Sequence, residues 1–307
     1  QKHFYGNYQF FINYDKSFNL HNLNLLAGTS YIRENNDFLS GYRSGLPNGT
    51  LSEINAGSKN GQETTGNANQ YGLLSYFARV NYDFAGKYLF EANMRLDGSS
   101  QFKKSPRWSV FPSFSAGWRI SEEAFMEDVD WVDNLKLRLS WGVLGNDRIG
   151  LYPYQSTYSL GSYPFGGALN QTAGLSTYAN SDLTWETTSM ADIGLDFTTL
   201  NNKLNLTFDY YIKTTNDVLM RLPIPSSVGL NAPYQNAGKI ENKGWEFAIS
   251  YRDMIGSDFN YTVGFNISDV RNKVLDIKGT DRLSADNNNI VTGLIVGKPI
   301  GSFYGYN

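Results

Sequence analysis

Apolar and polar residues alternate along much of the chain. Tyr88, Phe90 and Ala92 occupy every second position, with Glu91 and Asn93 between them. Because successive side chains of a β-strand point to opposite faces of a sheet, this period of two predicts strands with one apolar and one polar face. The segments that show it are, approximately, 4–15, 18–33, 71–84, 87–97, 108–120, 135–145, 184–198, 203–213, 244–252 and 258–268.

Charge is confined to one face of these ten segments. None of the positions that we assign to the apolar faces is charged, whereas the opposite faces carry residues such as Arg79, Glu91, Arg138 and Asp209. A lipid-facing Arg or Lys costs about 2–4 kcal/mol at the bilayer midplane, so contact with lipid would remove charge from one face. A soluble β-sandwich also has one apolar face, and the alternation alone leaves both architectures open.

Segment length and loop length favour a membrane barrel. Most segments have about ten residues or more, as membrane strands require, whereas average globular strands have about 5–6. Connections alternate between short turns and loops of up to about thirty residues or more, which is typical of outer-membrane barrels with their short turns on the periplasmic side. The connection at 121–134 is an exception, and there Ser121 is predicted to cap a short helix. The predicted fold is all-β, with antiparallel transmembrane β-barrel strands.

Aromatic residues strengthen this interpretation. The chain contains 21 Tyr, 19 Phe and 6 Trp, so that 15% of residues are aromatic and only 18% are charged. Trp118, Trp141, Trp185 and Trp245 all fall on the predicted apolar faces, several of them near strand ends. Such positions match the aromatic girdles of membrane barrels, and the alternative is aromatic packing in a soluble sheet.

Composition also excludes several classes of function. The net charge of −3 offers no basic excess for nucleic-acid binding, and the chain has no Cys and only 2 His. No apolar run is long enough for a transmembrane helix, and no signal peptide is visible after Gln1. Motifs for nucleophilic catalysis, phosphate binding or dinucleotide binding do not occur. We therefore expect no enzyme activity, no catalytic residue, no cofactor and no metal.

One cluster near the end of the sequence is rich in oxygen ligands. Asp281 is followed by Asp286 and by Asn287, Asn288 and Asn289, which together could bind calcium. The cluster lacks the ligand spacing and the glycine of an EF-hand loop. We interpret it as a solvated turn.

The predicted loop between the sixth and seventh strands is the most informative for function. Residues 149–181 contain no charged side chain, and Gly, Ser, Thr, Asn and Gln surround their aromatic residues. Such a surface suits a neutral, hydroxyl-rich ligand or a protein partner; the alternative is a loop that packs on itself and on its neighbours. The candidate ligand-contacting residues are Tyr152, Tyr154, Tyr158, Tyr163, Phe165 and Tyr178.

Several longer motifs have a family resemblance. They run over residues 95–102 (RLDGSSQF), 111–121 (FPSFSAGWRIS), 135–146 (LKLRLSWGVLGN), 180–188 (NSDLTWETT), 238–246 (GKIENKGWE) and 296–306 (VGKPIGSFYGY). In this order and spacing they resemble the SusC/RagA family of TonB-linked outer-membrane transporters. The resemblance covers about residues 70–307, and the first 70 residues fit by topology only.

The resemblance implies a barrel of about 22 strands with a plug. Residues 1–307 would then be part of the barrel of a longer protein, with the plug and N-terminal domains outside this chain. It further implies active import of oligosaccharides or peptides through the outer membrane of a Gram-negative bacterium. The implied partners are a SusD-like surface lipoprotein and the TonB complex. The alternatives are a siderophore or cobalamin transporter, a porin, or a soluble carbohydrate-binding β-sandwich.

We expect structural roles for the residues of the family motifs. Asp97 is predicted to cap a turn, Gly142 and Gly145 to allow tight bends or close approach to a plug, and Gly244 to enter a strand from a turn. The full set of motif residues with an expected structural role is Arg95, Asp97, Gly98, Trp118, Arg119, Gly142, Gly145, Asn146, Trp185, Glu186 and Gly244.

Overall fold

A computed structural model describes residues 1–47, 49–105, 107–285 and 292–303. Four members of the candidate calcium cluster, Asp286, Asn287, Asn288 and Asn289, lie outside the described residues, as does the end of the last family motif, 304–306.

Strands dominate the described residues. In chain order they are β1 (Lys2–Phe18), β2 (His21–Tyr42), β3 (Glu63–Phe84), β4 (Tyr88–Ser99), β5 (Trp108–Arg119), β6 (Val132–Asn146), β7 (Thr157–Phe165), β8 (Ala168–Thr177), β9 (Glu186–Thr199), β10 (Leu204–Asn216), β11 (Leu219–Arg221), β12 (Tyr234–Asn236), β13 (Lys239–Ile255), β14 (Phe259–Asp276), β15 (Arg282–Ala285), β16 (Thr292–Ile295) and β17 (Ser302–Phe303).

Ten of these strands form one antiparallel sheet. Its order is β1-β2-β3-β4-β5-β6-β9-β10-β13-β14, so each strand pairs with the next long strand along the chain. The sheet is open, with β1 and β14 at its edges. All ten predicted strands are confirmed. Several extend further than the alternation indicated; β14, for example, continues to Asp276.

The two ends of the sheet differ in their connections. At the short-turn end, β3 passes to β4 through three residues, and Ala85 and Gly86 take positive φ values of 57° and 69°. Residues 256–258 make a similar turn between β13 and β14. The long connections lie at the opposite end, here called the long-loop end. They contain features that the alternation did not predict: the hairpins β7–β8 and β11–β12 and the small sheet β15–β16–β17.

The predicted helix after β5 is replaced by two 3₁₀ turns, Ile120–Glu122 and Ala124–Met126. Arg119 occupies the N-cap position of the first turn and makes no side-chain cap, so the prediction that Ser121 caps a helix is wrong. The Ser121 hydroxyl is buried and has no hydrogen-bond partner among the residues that the structure describes. Over the described residues, no helix has the length and apolar character needed to cross a membrane.

The two faces of the sheet differ as predicted. One face exposes large apolar side chains on successive strands, among them Val80, Phe90, Phe114, Ile193 and Phe265. Along the apolar band, the opposite face carries the charged residues of the same strands, such as Arg79, Arg138 and Asp209. In each strand pair, apolar-face residues lie opposite apolar-face residues of the neighbouring strand. The two faces therefore stay distinct from β1 to β14.

Aromatic residues of the apolar face line the short-turn end and direct their polar atoms toward the turns. Tyr88 Oη and Trp118 Nε1 both donate to Glu123, at 2.6 and 3.0 Å. Tyr251 donates to Asp253 at 2.8 Å. This arrangement, apolar ring toward the sheet centre and polar atom outward, is that of a membrane-interface girdle.

Candidate functional site

The polar face carries an ion-pair bridge across three strands. Arg138 on β6 donates through Nε to Asp196 on β9 at 2.9 Å and through Nη2 to Asp209 on β10 at 2.8 Å. To reach β10 the guanidinium passes over Gly194, where an added Cβ would lie 2.6 Å from Arg138 Cζ. The glycine therefore supplies the space for the bridge.

A second ion pair lies toward the long-loop end of the polar face. Arg95 Nε donates to both oxygens of Asp97 at 2.7 and 2.8 Å, and Arg95 Nη2 donates to the Ser75 hydroxyl at 2.7 Å. Asp97 lies inside β4 and binds a guanidinium rather than backbone amides. The prediction that Asp97 caps a turn is therefore wrong: the alternation continues through Asp97 to Ser99.

Concave spaces open along the polar face. A cavity of about 510 Å³ lies toward the short-turn end, and its lining includes Asp15, Asn24, Asn81, Glu91, Lys136 and Asp192. A second, of about 650 Å³, includes Arg79, Asn93, Arg95, Phe111, Ser113 and Ser140. Amides, hydroxyls and charged groups thus line a surface that offers both donors and acceptors to a polar solute.

Buried apolar residues collect at the long-loop end. Phe102, Phe111, Ile149, Leu183 and Trp185 form this cluster, and Phe102 and Leu183 have no exposed surface. Trp185 packs against Phe102 and Phe111 with ring centroids 5.2 and 5.3 Å apart. The indole also donates to the Arg107 carbonyl at 3.0 Å. The assignment of Trp185 to the lipid-facing side is therefore wrong, because this residue precedes β9 and fixes three loops together.

The motif glycines make room for neighbouring side chains. A Cβ on Gly145 would overlap the Phe111 ring, and one on Gly98 would lie 2.8 Å from Trp108. At Gly142 it would lie 2.8 Å from Ser113 Cβ. Gly142 and Gly145 thus allow close approach, as predicted, but the approaching groups belong to β5.

Gly244 differs from its prediction. It lies well inside β13, and not at a turn that leads into a strand. A Cβ there would lie 2.6 Å from the Tyr211 hydroxyl of the adjacent strand, so the space beside this glycine holds the tyrosine ring.

Asp147 anchors the start of the long uncharged loop. Its Oδ2 accepts from the Tyr71 hydroxyl at 3.0 Å and from the Ser99 hydroxyl at 2.5 Å. Tyr152 holds the next part of the loop, because its hydroxyl donates to the Gln70 carbonyl at 2.9 Å and accepts from the Gln70 amide at 3.1 Å. Tyr152 was a candidate ligand contact, but its hydroxyl is engaged in fixing the loop to β3.

Asn236 joins the later loops to one another. Its Oδ1 accepts from the Thr184 amide at 2.8 Å, and its Nδ2 donates to the carbonyls of Thr184 and Asp217 at 2.9 and 3.1 Å. Glu186 accepts from Asn146 at 3.0 Å and from the Leu219 amide at 3.0 Å. No sequence pattern pointed to Asn236, since a single loop asparagine has no distinguishing motif.

The hairpin β7–β8 projects from this anchored base. Within the described part of the chain, its two strands pair with each other and with no other strand, apart from a bridge between Thr177 and Asn231. Tyr158, Tyr163 and Phe165 are 66%, 63% and 77% exposed. Tyr178, just after β8, is also exposed, whereas Tyr154 lies half-buried at the base. Four of the six candidate aromatics therefore present their rings to solvent at the long-loop end.

The remaining motif residues make structural contacts. Arg119 donates to the Gly86 carbonyl at 3.4 Å, which ties β5 to the neighbouring short turn. Glu123, in the adjoining 3₁₀ region, accepts from Tyr88 and Trp118 and lies 3.5 Å from Lys87 Nζ. These contacts, the Tyr88 hydrogen bond foremost, hold the pKa of Glu123 below its ordinary value of 4.5.

The described residues include no group of three or more His, Cys, Asp or Glu side chains placed to hold a metal ion. The expectation that the protein uses no metal, no cofactor and no catalytic residue stays a prediction.

Comparison with known proteins gives the family. The model of the family "TonB dependent receptor-like, beta-barrel" matches residues 1–301. The chain belongs to this family. The polar face is accordingly the inner wall of an outer-membrane barrel, the apolar face is the lipid-facing surface, and the protein resides in the outer membrane of a Gram-negative bacterium. The predicted fold class and location are confirmed.

Individual relatives place this barrel with the SusC/RagA type. TonB-dependent receptor P3 of Formosa agariphila is 36% identical over 96% of this chain. TonB-dependent receptor SusC of Bacteroides thetaiotaomicron is 37% identical over 80% of it. The solved RagAB peptide transporter superposes on 98% of the chain with a TM-score of 0.89 at 27% identity. The resemblance to SusC/RagA transporters is confirmed.

The chain is shorter than these relatives. It spans 30% of the P3 receptor, 26% of SusC and 33% of the RagAB chain. The outer-membrane transporter YddB of Escherichia coli shares the fold at 12% identity and a TM-score of 0.61.

Proposed function

We propose that the full-length protein is an active importer of oligosaccharides. In this proposal a SusD-like surface lipoprotein covers the long-loop end of the barrel, and TonB supplies the energy. The protein acts as a transporter and not as an enzyme. The similarity to SusC and to the RagAB transporter supports the transport class and both partners.

The uncharged, aromatic character of the long-loop end is the observation that favours oligosaccharides as the substrate. Residues 149–181 contain no charge, and the hairpin β7–β8 exposes Tyr158, Tyr163 and Phe165. Aromatic rings stack on the apolar faces of sugar rings, while neighbouring amides and hydroxyls bind sugar hydroxyls. A charged ligand would find no complementary charge on this segment.

The inner wall continues the same chemistry below the loops. Asn81, Asn93, Ser113 and Ser140 line its cavities. Two arginines of the lining, Arg95 and Arg138, are engaged in ion pairs. The amides and hydroxyls of this wall offer hydrogen-bond donors and acceptors to a neutral polar solute.

Peptide import is the second candidate function. The observation that favours it is the high structural similarity to RagAB, which is described as a peptide transporter. Peptides also have neutral amide groups that could meet the amides and hydroxyls of the wall.

The test is uptake by cells that carry the full-length gene, its deletion, or a variant with Tyr158→Ala, Tyr163→Ala and Phe165→Ala. We expect deletion to abolish growth on at least one neutral oligosaccharide, and the hairpin variant to raise the half-saturating concentration about tenfold or more. The matched control is Phe125→Ala with Trp131→Ala, two side chains that are each 66% exposed at the opposite end.

Growth of the deletion strain on every neutral oligosaccharide at the wild-type rate would contradict the proposal. Loss of growth on peptides alone would select the second candidate. Equal effects of the hairpin variant and its control would remove the hairpin from substrate recognition.

A further inference from the structure

The lipid-facing surface carries a charged region at the long-loop ends of β13 and β14. Lys243 on β13 pairs in register with Arg271 on β14, and Glu241 pairs with Lys273. Asp269 lies two positions before Arg271. All five side chains belong to the face that carries Phe247 and Ile267, because the register between the two strands is unbroken from Ile240 to the hairpin turn. We call them the β13–β14 charge cluster.

The height of this cluster places it at the outer boundary of the membrane. Arg271 lies twelve residues after Phe259, where β14 leaves its short turn. At about 3.3 Å per residue and a strand tilt near 40°, it stands about 30 Å above that turn. The hydrocarbon core of a bilayer is about 30 Å thick. The cluster is therefore level with the lipid headgroups of the outer leaflet.

Aromatic residues mark the same boundary. Trp245 pairs with Tyr210 on β10 and with Asp269 on β14. Both rings are on the lipid-facing surface, one step below Lys243, where interfacial aromatic residues anchor a barrel. The sequence pattern did not predict this arrangement, because the alternation of apolar and polar residues ends below the cluster.

The electrostatics of the cluster leave a cationic excess. Lys243 Nζ lies 3.0 Å from Glu241, and Arg271 Nε lies 3.6 Å from Asp269. Each acid thus lies beside a cation of its own strand. Lys273 is a third cation, so the cluster has three positive charges and two negative ones. Lys243 and Arg271 are also directly opposite each other, an arrangement that is unfavourable for like charges unless an anion lies between or above them.

The neighbouring strand shows that this charge is local. At the same level on β10, Thr214 pairs with Glu241 and Ile212 pairs with Lys243. On the β10 side, the charged patch therefore ends at β13.

We propose that Lys243, Arg271 and Lys273 bind the phosphate group of an outer-leaflet lipid. The guanidinium of Arg271 matches two phosphate oxygens, and the two ammonium groups add point charges from either strand. Basic residues at a membrane surface attract anionic headgroups in this way. The acyl chains of the lipid then pack along Trp245, Phe247 and Ile267 below. The outer leaflet of Gram-negative bacteria is rich in lipid A, which carries phosphate on its sugar headgroup.

The experiment uses the purified full-length transporter in detergent, with lipid A as the probe and phosphatidylcholine as the neutral comparison. Thermal unfolding is followed as lipid A is titrated, without any transport substrate. We expect lipid A to raise the Tm of the wild type saturably and phosphatidylcholine to leave it unchanged. Lys243→Gln, Arg271→Gln and Lys273→Gln in combination should weaken the apparent affinity for lipid A about tenfold or more.

Two further variants keep the test sharp. Lys243→Arg, Arg271→Lys and Lys273→Arg together retain the charges and should retain most of the response, which separates binding from a folding defect. Lys16→Gln, Lys87→Gln and Lys203→Gln remove three cations at the short-turn end and should leave the response intact. An equal response of the glutamine variant and the wild type overturns the proposal. An equal response to inorganic phosphate at the same phosphate concentration also overturns it, in favour of a site for the free ion.

Discussion

At the scale of single residues, glycines and one arginine define the inner wall. The sequence assigned Arg138 and Asp209 to the polar face, but alternation cannot say which charges meet across strands. The partner of Arg138 on β10 became evident only with the register, because Gly194 lies between them on β9. Similarly, Trp185 matched the alternation of β9, yet it belongs to the buried loop cluster.

Replacing Gly194 by Ala should break this bridge. The new Cβ would lie 2.6 Å from Arg138 Cζ, so the guanidinium must move away from Asp209. We expect a loss of about 1–3 kcal/mol in the free energy of unfolding, as for other overpacked sites. The measurement is equilibrium unfolding of the refolded full-length protein in detergent.

Gly264→Ala in β14 is the matched control. Its nearest heavy atom, the Ile249 carbonyl oxygen, would be 3.8 Å from the Cβ, an ordinary contact. A Gly264 variant that lost as much stability as the Gly194 variant would contradict the role given to Arg138.

Tyr152→Phe tests whether this residue fixes the long loop. The change removes the hydroxyl that bonds to both backbone groups of Gln70, and we expect a loss of about 0.5–1.5 kcal/mol. Protease cleavage within residues 153–181 should become faster. Tyr154→Phe is the control, since the Tyr154 hydroxyl has no hydrogen bond among the described residues. Unchanged cleavage of the Tyr152 variant would show that the loop is held elsewhere.

At the scale of elements, the long strands were predictable and the small hairpins were not. Lipid-facing apolar residues recur at every second position over most of each long strand, so the ten strands were recognisable in the sequence. The hairpin β7–β8 has no buried face and therefore no alternation to detect. The 3₁₀ turns after β5 arise where Arg119, not Ser121, leaves the extended conformation.

The short-turn girdle should depend on pH through Glu123. Its folded-state pKa is lowered, so the carboxylate contributes stability above its ordinary pKa of 4.5 and loses that contribution as the pH falls through the lower folded-state value. We therefore expect Glu123→Gln to lower Tm at pH 7, and the difference from wild type to shrink below about pH 4.

Tm measured from pH 7 to pH 3 in detergent checks this expectation. Glu127 lies in the same connection, and its carboxylate has no partner among the described residues. Glu127→Gln should therefore change Tm little at any pH. A difference between Glu123→Gln and wild type that stayed constant down to pH 3 would be incompatible with a lowered pKa.

At the scale of the whole molecule, the open sheet has two long unpaired edges. β1 and β14 present 17 and 18 residues at these edges, and unpaired edges of this length favour pairing between chains. The 307-residue polypeptide, refolded alone in detergent, should therefore self-associate, whereas the full-length protein should remain a defined species. Size-exclusion chromatography with light scattering distinguishes them, and a monodisperse monomer of the short polypeptide would contradict this expectation.

The bridge of Arg138 also has a consequence for assembly. A slip of one residue between β9 and β10 would turn Asp209 toward lipid and leave the arginine without its second partner. The two ion pairs of Arg138 form together only when β6 is in register with β9 and β9 is in register with β10. A register error in either strand pair therefore removes stabilising ion pairs. The ion pair can thus act as a check on the fidelity of barrel assembly, separate from anything that later passes through the pore.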